Sequence, residues 1–429
     1  MKNFIKWSLL GSSVFLLAAC SNGDDKTSDS GKKDNSELVA WAWDPTYNIK
    51  ALEEADKVYE PDKENLKIVS SSQEDVVQKL NTALSANNKD GLPSIVLIED
   101  YRAQGFLKSY PDAFEDLSDI VKKDDFAEYK FPSISNDGKV YGIPFDSGVT
   151  GMYYRSDLLK EAGYEEDALK DITWDDYIKI AKDVKEKTGK AMLTVDPSDL
   201  GLVRVMMQSA GSWYTDKDGK VDIENNDALK AGLKVFASLI KDGISEPVAG
   251  WDAGVEAVNT GKVASTVTGS WYSSSIKQAE DQTGKWHIAP TPKLSDIKGS
   301  ANASNLGGSS WYVLKGVGDT EKAKAFMKDT FASSKPLMET LTKEIGLVST
   351  LKAAKETPIY QEPVEFYGDQ KVYADFSTWM NDVPAVNYGQ DTYAIETVMS
   401  EYAQQIINGD DIDKVLKDAQ KQVEASVKQ

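Results

Sequence analysis

Short apolar runs alternate with long helical patterns along this chain, and that alternation limits its body to α/β architecture. Leu38-Val39-Ala40-Trp41-Ala42-Trp43 reads as a first strand, followed by a helix from about Ile49 to Tyr59. Leu66 to Val69 and Ser94 to Ile98 read as further strands, with a helix from Glu74 to Ala86 between them. In an open parallel sheet the loops leaving the carboxyl ends of the strands form the ligand crevice, which places Trp43-Asp44 and Glu99-Asp100 on one rim.

Ahead of this body, Lys2 and Lys6 precede an uncharged apolar run from Trp7 to Ala19, and the chain turns polar after Cys20. Residues 1–19 therefore read as a secretory signal peptide, too short for a comfortable membrane span. Leu17-Ala18-Ala19-Cys20 reads as a lipobox, in which small residues open the bond to the processing peptidase and the thiol takes a diacylglycerol. Cys20 is the only cysteine, so an internal disulfide is impossible and lipid attachment is the role left for it. Two acyl chains hold a protein at a membrane where one holds it only marginally. Ser21 to Ser36 has no aromatic or branched aliphatic residue and reads as a tether, so that residues 20–36 form a lipidated, flexible leash.

Loss of residues 1–19 leaves 410 residues, enough for two lobes with substantial cores. It also takes the formal charge from −20 to −22, because Lys2 and Lys6 go with it. A chain this acidic is not built to sit on nucleic-acid phosphates or anionic headgroups. With His287 the single histidine, zinc, iron and copper sites are nearly excluded, oxygen-ligand calcium sites stay open, and no cofactor is expected.

The stretch from Gly138 to Arg155 contains two short strands flanking Asp146 to Gly151, a centre of small and turn-forming residues. Continued through Ser156 to Gly163, it resembles the hinge-crossing signature of the family 1 extracellular solute-binding proteins, the carbohydrate-binding subunits of ABC importers. Further blocks are similar to that family in the same order. They are Thr173-Trp174-Asp175-Asp176-Tyr177, Ala210-Gly211-Ser212-Trp213-Tyr214, Asp218-Gly219-Lys220, and Asn259-Thr260-Gly261-Lys262-Val263-Ala264. Gly269-Ser270-Trp271, Trp286 to Pro290, Gly307-Gly308 and a closing helix pair after Gly409 continue the series. Thr173 reads independently as an N-cap with acids in the first turn.

The resemblance implies a two-lobed, periplasmic-binding-protein-like fold of the class II type. Its hinge crossovers fall near Asp146 to Gly151, near Asn305 and past Lys328, with a ligand cleft between the lobes. On this reading residues 37–146 and 305–333 form the N-terminal lobe, and 147–304 with 334–429 form the C-terminal lobe. Ligand would favour the closed form, as in other hinge proteins. The implied partners are an oligosaccharide and two membrane permease subunits, with the protein itself a cell-membrane-anchored monomer.

A pyranose offers an apolar C–H face and a ring of hydroxyls, so its site needs aromatic platforms beside carboxylates or amides. Trp43, Asp44, Glu99 and Asp100 are candidates from their place at strand ends, one of the last two being expected to face the cleft, with Trp41 as core support. Asp146 lies at the hinge crossing, where family members place a sugar-binding acid or amide; the alternative is a turn residue bonding its own backbone. The resemblance adds Trp251 before Gly261, Trp271 in Gly-x-Trp, and Tyr388 in the loop before the terminal helices. Trp311 is read either as a stacking residue or as strand packing, Trp213 as a secondary candidate, and Trp174 and Trp379 as packing residues. Trp43-Asp44-Pro45 and the loop from Pro384 to Gly389 resemble members that take galactosides, arabinosides or host-glycan fragments more than maltodextrin-type members.

Paired carboxylates and tryptophans in a cleft also describe glycoside hydrolases, whose acid and base stand at set separations. The chain carries no Gly-x-Ser-x-Gly elbow, phosphate-binding glycine loop or metal-ligand motif, so an enzyme is not expected. A third reading keeps the fold and exchanges the sugar for a peptide, polyamine or anion; tryptophans at several loop ends favour the sugar.

Overall fold

A computed structural model describes residues 37–60 and 66–427. The expected signal peptide, Cys20 and the whole expected tether lie outside the described residues. Strands β1 (Leu38–Ala42), β2 (Leu66–Ser70) and β3 (Ile95–Glu99) run parallel with β1 in the middle. The crossovers are helices α1 (Asn48–Val58) and α2 (Gln73–Ser85). Ile95, Val96, Leu97 and Ile98 are all buried, as an unbroken apolar run requires of a strand covered on both faces. Ser72 caps α2 by accepting from the Asp75 N–H at 3.1 Å, with Glu74 and Asp75 in the first turn.

Helix α3 (Asp100–Ser109) starts directly off β3. Helix α4 (Phe131–Ile134) and a small hairpin of β4 (Ser135–Asn136) and β5 (Lys139–Val140) then lead to β6 (Gly142–Pro144). The chain next crosses to β7 (Thr150–Arg155), the middle strand of a second sheet. Helices α5 (Ser156–Glu161) and α6 (Trp174–Thr188) follow, the latter closed at its start by a reciprocal capping box between Thr173 and Asp176. After β8 (Leu193–Val195) come α7 (Gly201–Ser209), α8 (Asp227–Lys241), β9 (Ser245–Pro247) and α9 (Gly250–Asn259). Strand β10 (Ser265–Gly269), α10 (Ser273–Ile276) and β11 (Trp286–Pro290) complete the second lobe's sheet, in which β10 and β11 flank β7 antiparallel. Strands β8 and β9 pair in parallel, and a bridge from Ala191 to Val263 joins them to this sheet.

The chain then returns to the first sheet. Strand β12 (Ser309–Val313) inserts between β3 and β6, antiparallel to both, giving the order β2-β1-β3-β12-β6. Helices α11 (Thr320–Asp329) and α12 (Lys335–Ile345) follow; α12 packs on α1, and its Leu337, Met338 and Leu341 are buried. The expected lobe boundary at residue 334 falls at the head of α12, and α12 packs on α1, the helix that joins β1 to β2. Helix α13 (Val372–Met380) follows a turn in which Gln370 bonds both the N–H and the C=O of Ile288 on β11. Helices α14 (Thr392–Asn408) and α15 (Ile412–Ser426) pack on each other and into the second core.

Two of the crossings pair with each other. Val149 bridges Asn305, the Leu306 N–H donates to the Gly148 carbonyl at 2.8 Å, and the Thr150 N–H donates to Ser304 at 2.9 Å. A Cβ on Gly148 would fall onto the Leu306 carbonyl oxygen, so the close pairing requires glycine there. Beneath them Lys130, fully buried, places its ammonium 2.6 Å from Asp100 Oδ2 and donates to the carbonyls of Asp146 at 3.0 Å and Ser309 at 2.9 Å. Removing one partner from such a pair leaves a buried charge without compensation. Lys130→Met is expected to destabilise the protein by about 3–5 kcal/mol, read by urea denaturation. Lys130→Met/Asp100→Asn should recover a large part of that loss, and equal losses in the single and double variants would contradict the assignment.

Candidate functional site

Two connected cavities, of about 940 Å³ and about 350 Å³, run between the lobes and share Glu99, Trp251, Trp271 and Gly307. Both lie in the size range of ligand sites.

The loop after β1 forms one wall of the larger chamber. Asn48 Oδ1 accepts from the N–H groups of Trp43 (3.1 Å) and Asp44 (3.0 Å), which fixes the turn that aims both side chains. Asp44 Oδ1 accepts from the Thr46 N–H and hydroxyl, each at 2.8 Å. Asp146 forms the floor. Its Oδ1 takes both the N–H and the hydroxyl of Ser309 at 2.7 Å, leaving Oδ2 for a ligand. Asp146 thus bonds a neighbouring strand instead of its own turn.

Opposite stand Trp251, in the first turn of α9, and Trp271, in the turn after β10, with ring centroids 5.5 Å apart. Trp251 is 52 % exposed, a large aromatic surface left open to the cleft. Trp271 is held in place twice over. Its Nε1 donates to the Leu306 carbonyl at 3.0 Å, and its indole lies across Gly269 so closely that a Cβ there would fall inside the ring. The Gly-x-Trp spacing has that physical meaning.

Glu99, at the end of β3, stands where the chambers meet. Tyr393 donates to both of its carboxylate oxygens, at 2.8 and 2.7 Å, and Arg102 Nε lies 3.4 Å from Oε2. Burial pushes the Glu99 carboxyl up, against the Tyr393 hydrogen bond and the Arg102 charge.

Four of the candidates lie away from the cleft. Asp100 turns away from the cleft into its buried ion pair with Lys130, because the first residue of α3 points beneath the sheet edge. Trp311 is fully buried against Phe145 and Phe331, with centroids 5.3 Å from each, so strand packing is its role. Tyr388 is buried too; its hydroxyl accepts from Asn305 Nδ2 at 3.3 Å and donates to Gln208 at 3.1 Å, bracing the crossing from behind. Trp213 packs against Tyr101 and Tyr388 and donates to Thr392, away from the cleft. Trp41, also half-buried, faces a groove beside α2.

Several lining residues escaped the sequence reading. Tyr47 closes the larger chamber, with a buried hydroxyl that has no partner among the described residues. Lys277 and Gln278 line its far side. Arg204 in the smaller chamber pairs with Glu396 at 3.3 Å and sits 5.1 Å from the Tyr101 ring centroid. Its signal was present: an arginine inside the apolar helix Gly-Leu-Val-Arg-Val-Met-Met needs a buried counter-charge.

The model for bacterial extracellular solute-binding proteins matches residues 50–368. A lactose-binding protein of Rhizobium radiobacter is 42 % identical over 384 residues, covering 89 % of this chain and 90 % of the relative. An arabinooligosaccharide-binding protein of Bacillus subtilis (strain 168) is 31 % identical over 324 residues, 73 % of each chain. Among solved structures, the sugar-binding protein MalE from Xanthomonas citri superposes with a TM-score of 0.75 at 18 % identity, over 91 % of this chain and 97 % of that one, a likeness of fold. On fold, cleft and sequence together, this chain belongs to the bacterial extracellular solute-binding proteins.

Proposed function

We propose that this protein is the sugar-capturing subunit of an ABC importer, that its ligand is a short oligosaccharide of the lactose type, and that Cys20 anchors it to the cell membrane through lipid. The observation that carries the reading is the aromatic pair Trp251 and Trp271 on one lobe, facing the Asp44 and Asp146 carboxylates of the other across one cavity. Indole faces cover the apolar C–H surface of a pyranose, while the free carboxylate oxygens accept from its hydroxyls. The 42 %-identical lactose-binding relative supports a galactosyl-containing disaccharide, which the larger chamber has room for. Closure of the lobes around the sugar then presents one shape to the permease and withholds it when the cleft is empty. The protein acts as a monomer and leaves the glycosidic bond intact.

Titration with lactose is expected to change tryptophan fluorescence saturably, and Trp271→Ala to weaken binding by well over tenfold, a loss of about 1.4 kcal/mol or more. Unchanged affinity in that variant removes the stacking platform, and time-dependent release of free monosaccharide overturns the binder in favour of a hydrolase. Cys20→Ala should bind sugar normally in solution and support uptake poorly in cells; lost affinity in solution would show that the anchor and the site are not independent.

A further inference from the structure

Between the chambers lies a cluster of charged and phenolic side chains drawn from both lobes. Glu99 ends the first lobe's β3, whereas Tyr393 belongs to α14 of the second lobe, so their hydrogen bond spans the lobe boundary. The Tyr393 ring is itself fixed. The Arg102 guanidinium stacks 4.2 Å from its centroid, Arg204 lies 5.9 Å away, and Tyr101 meets it edge-on at 6.3 Å. A hydroxyl on a ring held this way points in one direction before any ligand arrives.

From the bond, the fixed ring and the place of Glu99 at the waist of the cleft, we infer that Tyr393 is a positioning residue for sugar binding. It holds the Glu99 carboxylate in the orientation and the ionised state in which its oxygens accept from a ligand hydroxyl. This inference rests on the sugar-binding reading of the cleft. A glutamate left free would lose rotamer entropy on binding, and one left protonated would offer one acceptor fewer.

The charged surroundings of Glu99 fix the sign of the pH dependence. Arg102 on α3 and Arg204 on α7 favour its carboxylate, and so does the Tyr393 hydroxyl from α14. Burial opposes them, as does Asp100, whose own charge is compensated by Lys130. Two more acids stand behind Arg204: Glu396 on α14, which burial pushes up to about 7, and Asp199 ahead of α7. Because the Tyr393 bond favours the ionised form, its loss raises the protonation midpoint of Glu99. Affinity that depends on the carboxylate is complete above that midpoint and falls as the pH drops through it. Without the hydroxyl, the fall begins at higher pH.

The test is Tyr393→Phe in the full-length protein, which keeps the packed ring and removes only the donor, with Glu99→Gln as the reference. Two quantities are measured from about pH 4 to about pH 8: the Glu99 carboxyl titration by carbon-13 NMR in sugar-free protein, assigned by its disappearance in Glu99→Gln, and the Kd for lactose. Tyr393→Phe is expected to raise the Glu99 midpoint by about half a pH unit or more. It should move the acid loss of affinity by the same amount and weaken binding several-fold at neutral pH, while Glu99→Gln flattens the profile. Identical midpoints in the wild type and Tyr393→Phe overturn the inference, as does a Glu99→Gln protein with unaltered affinity and pH profile. If the midpoint moves but the wild type does not bind lactose, the choice of ligand fails and the control of Glu99 by Tyr393 stands.

Discussion

The ammonium of Lys130 lies between Asp100 Oδ2 and two backbone carbonyls, those of Asp146 and Ser309, and is closed off from bulk solvent. A charge in that setting tolerates little movement of its partners, because any acceptor that drifts away leaves it undersolvated. The three partners belong to the start of α3, directly after β3, to the first crossing and to the start of β12. One side chain thereby registers the strand end that presents Glu99 against the segment that presents Asp146, and ties both to the strand that returns from the second lobe. Ser309 extends the same arrangement outward, since its N–H and hydroxyl hold the Asp146 carboxylate at the cavity floor.

The cleft divides its chemistry between the lobes. Carboxylates fixed by backbone and hydroxyl donors come from the first lobe, at Asp44, Glu99 and Asp146. Indoles fixed by packing come from the second, at Trp251 and Trp271. Neither set forms a complete sugar site alone, because acids without a platform leave the C–H face in water and indoles without acids do not distinguish hydroxyl patterns. On the proposed sugar-binding reading, affinity is coupled to lobe closure by composition.

Much of this was legible from residue pattern. The alternation of apolar runs and helical periods located β1, α1, β2, α2 and β3 to within a residue or two, because each run is bounded by turn chemistry and each helix has one apolar face. Gly269 and Trp271 were picked out by the family resemblance, and the structure supplies the reason for their spacing, since the indole lies where a Cβ on Gly269 would be. The candidates that lie away from the cleft share a different cause. Asp100, Trp311 and Tyr388 are near the cleft along the chain, but each is turned by a partner far away in sequence: Lys130, Phe331 and Gln208. Which of two adjacent acids faces a cavity depends on such a partner, and no local spacing encodes it. The place of α12 likewise depends on a partner far away in sequence, helix α1.

The late insertion of β12 sets the order in which this protein can be assembled. Strands β3 and β6 are never direct neighbours; the strand that joins them lies beyond the whole second sheet. Until residues 309–313 are available, the first lobe has an open gap in its sheet and Asp146 lacks the serine that orients it. Closing that gap spans a long loop, and contacts of such sequence separation are slow to form. Until that strand is in place, the edges of β3 and β6 that face each other across the gap stay unpaired and open to wrong pairing.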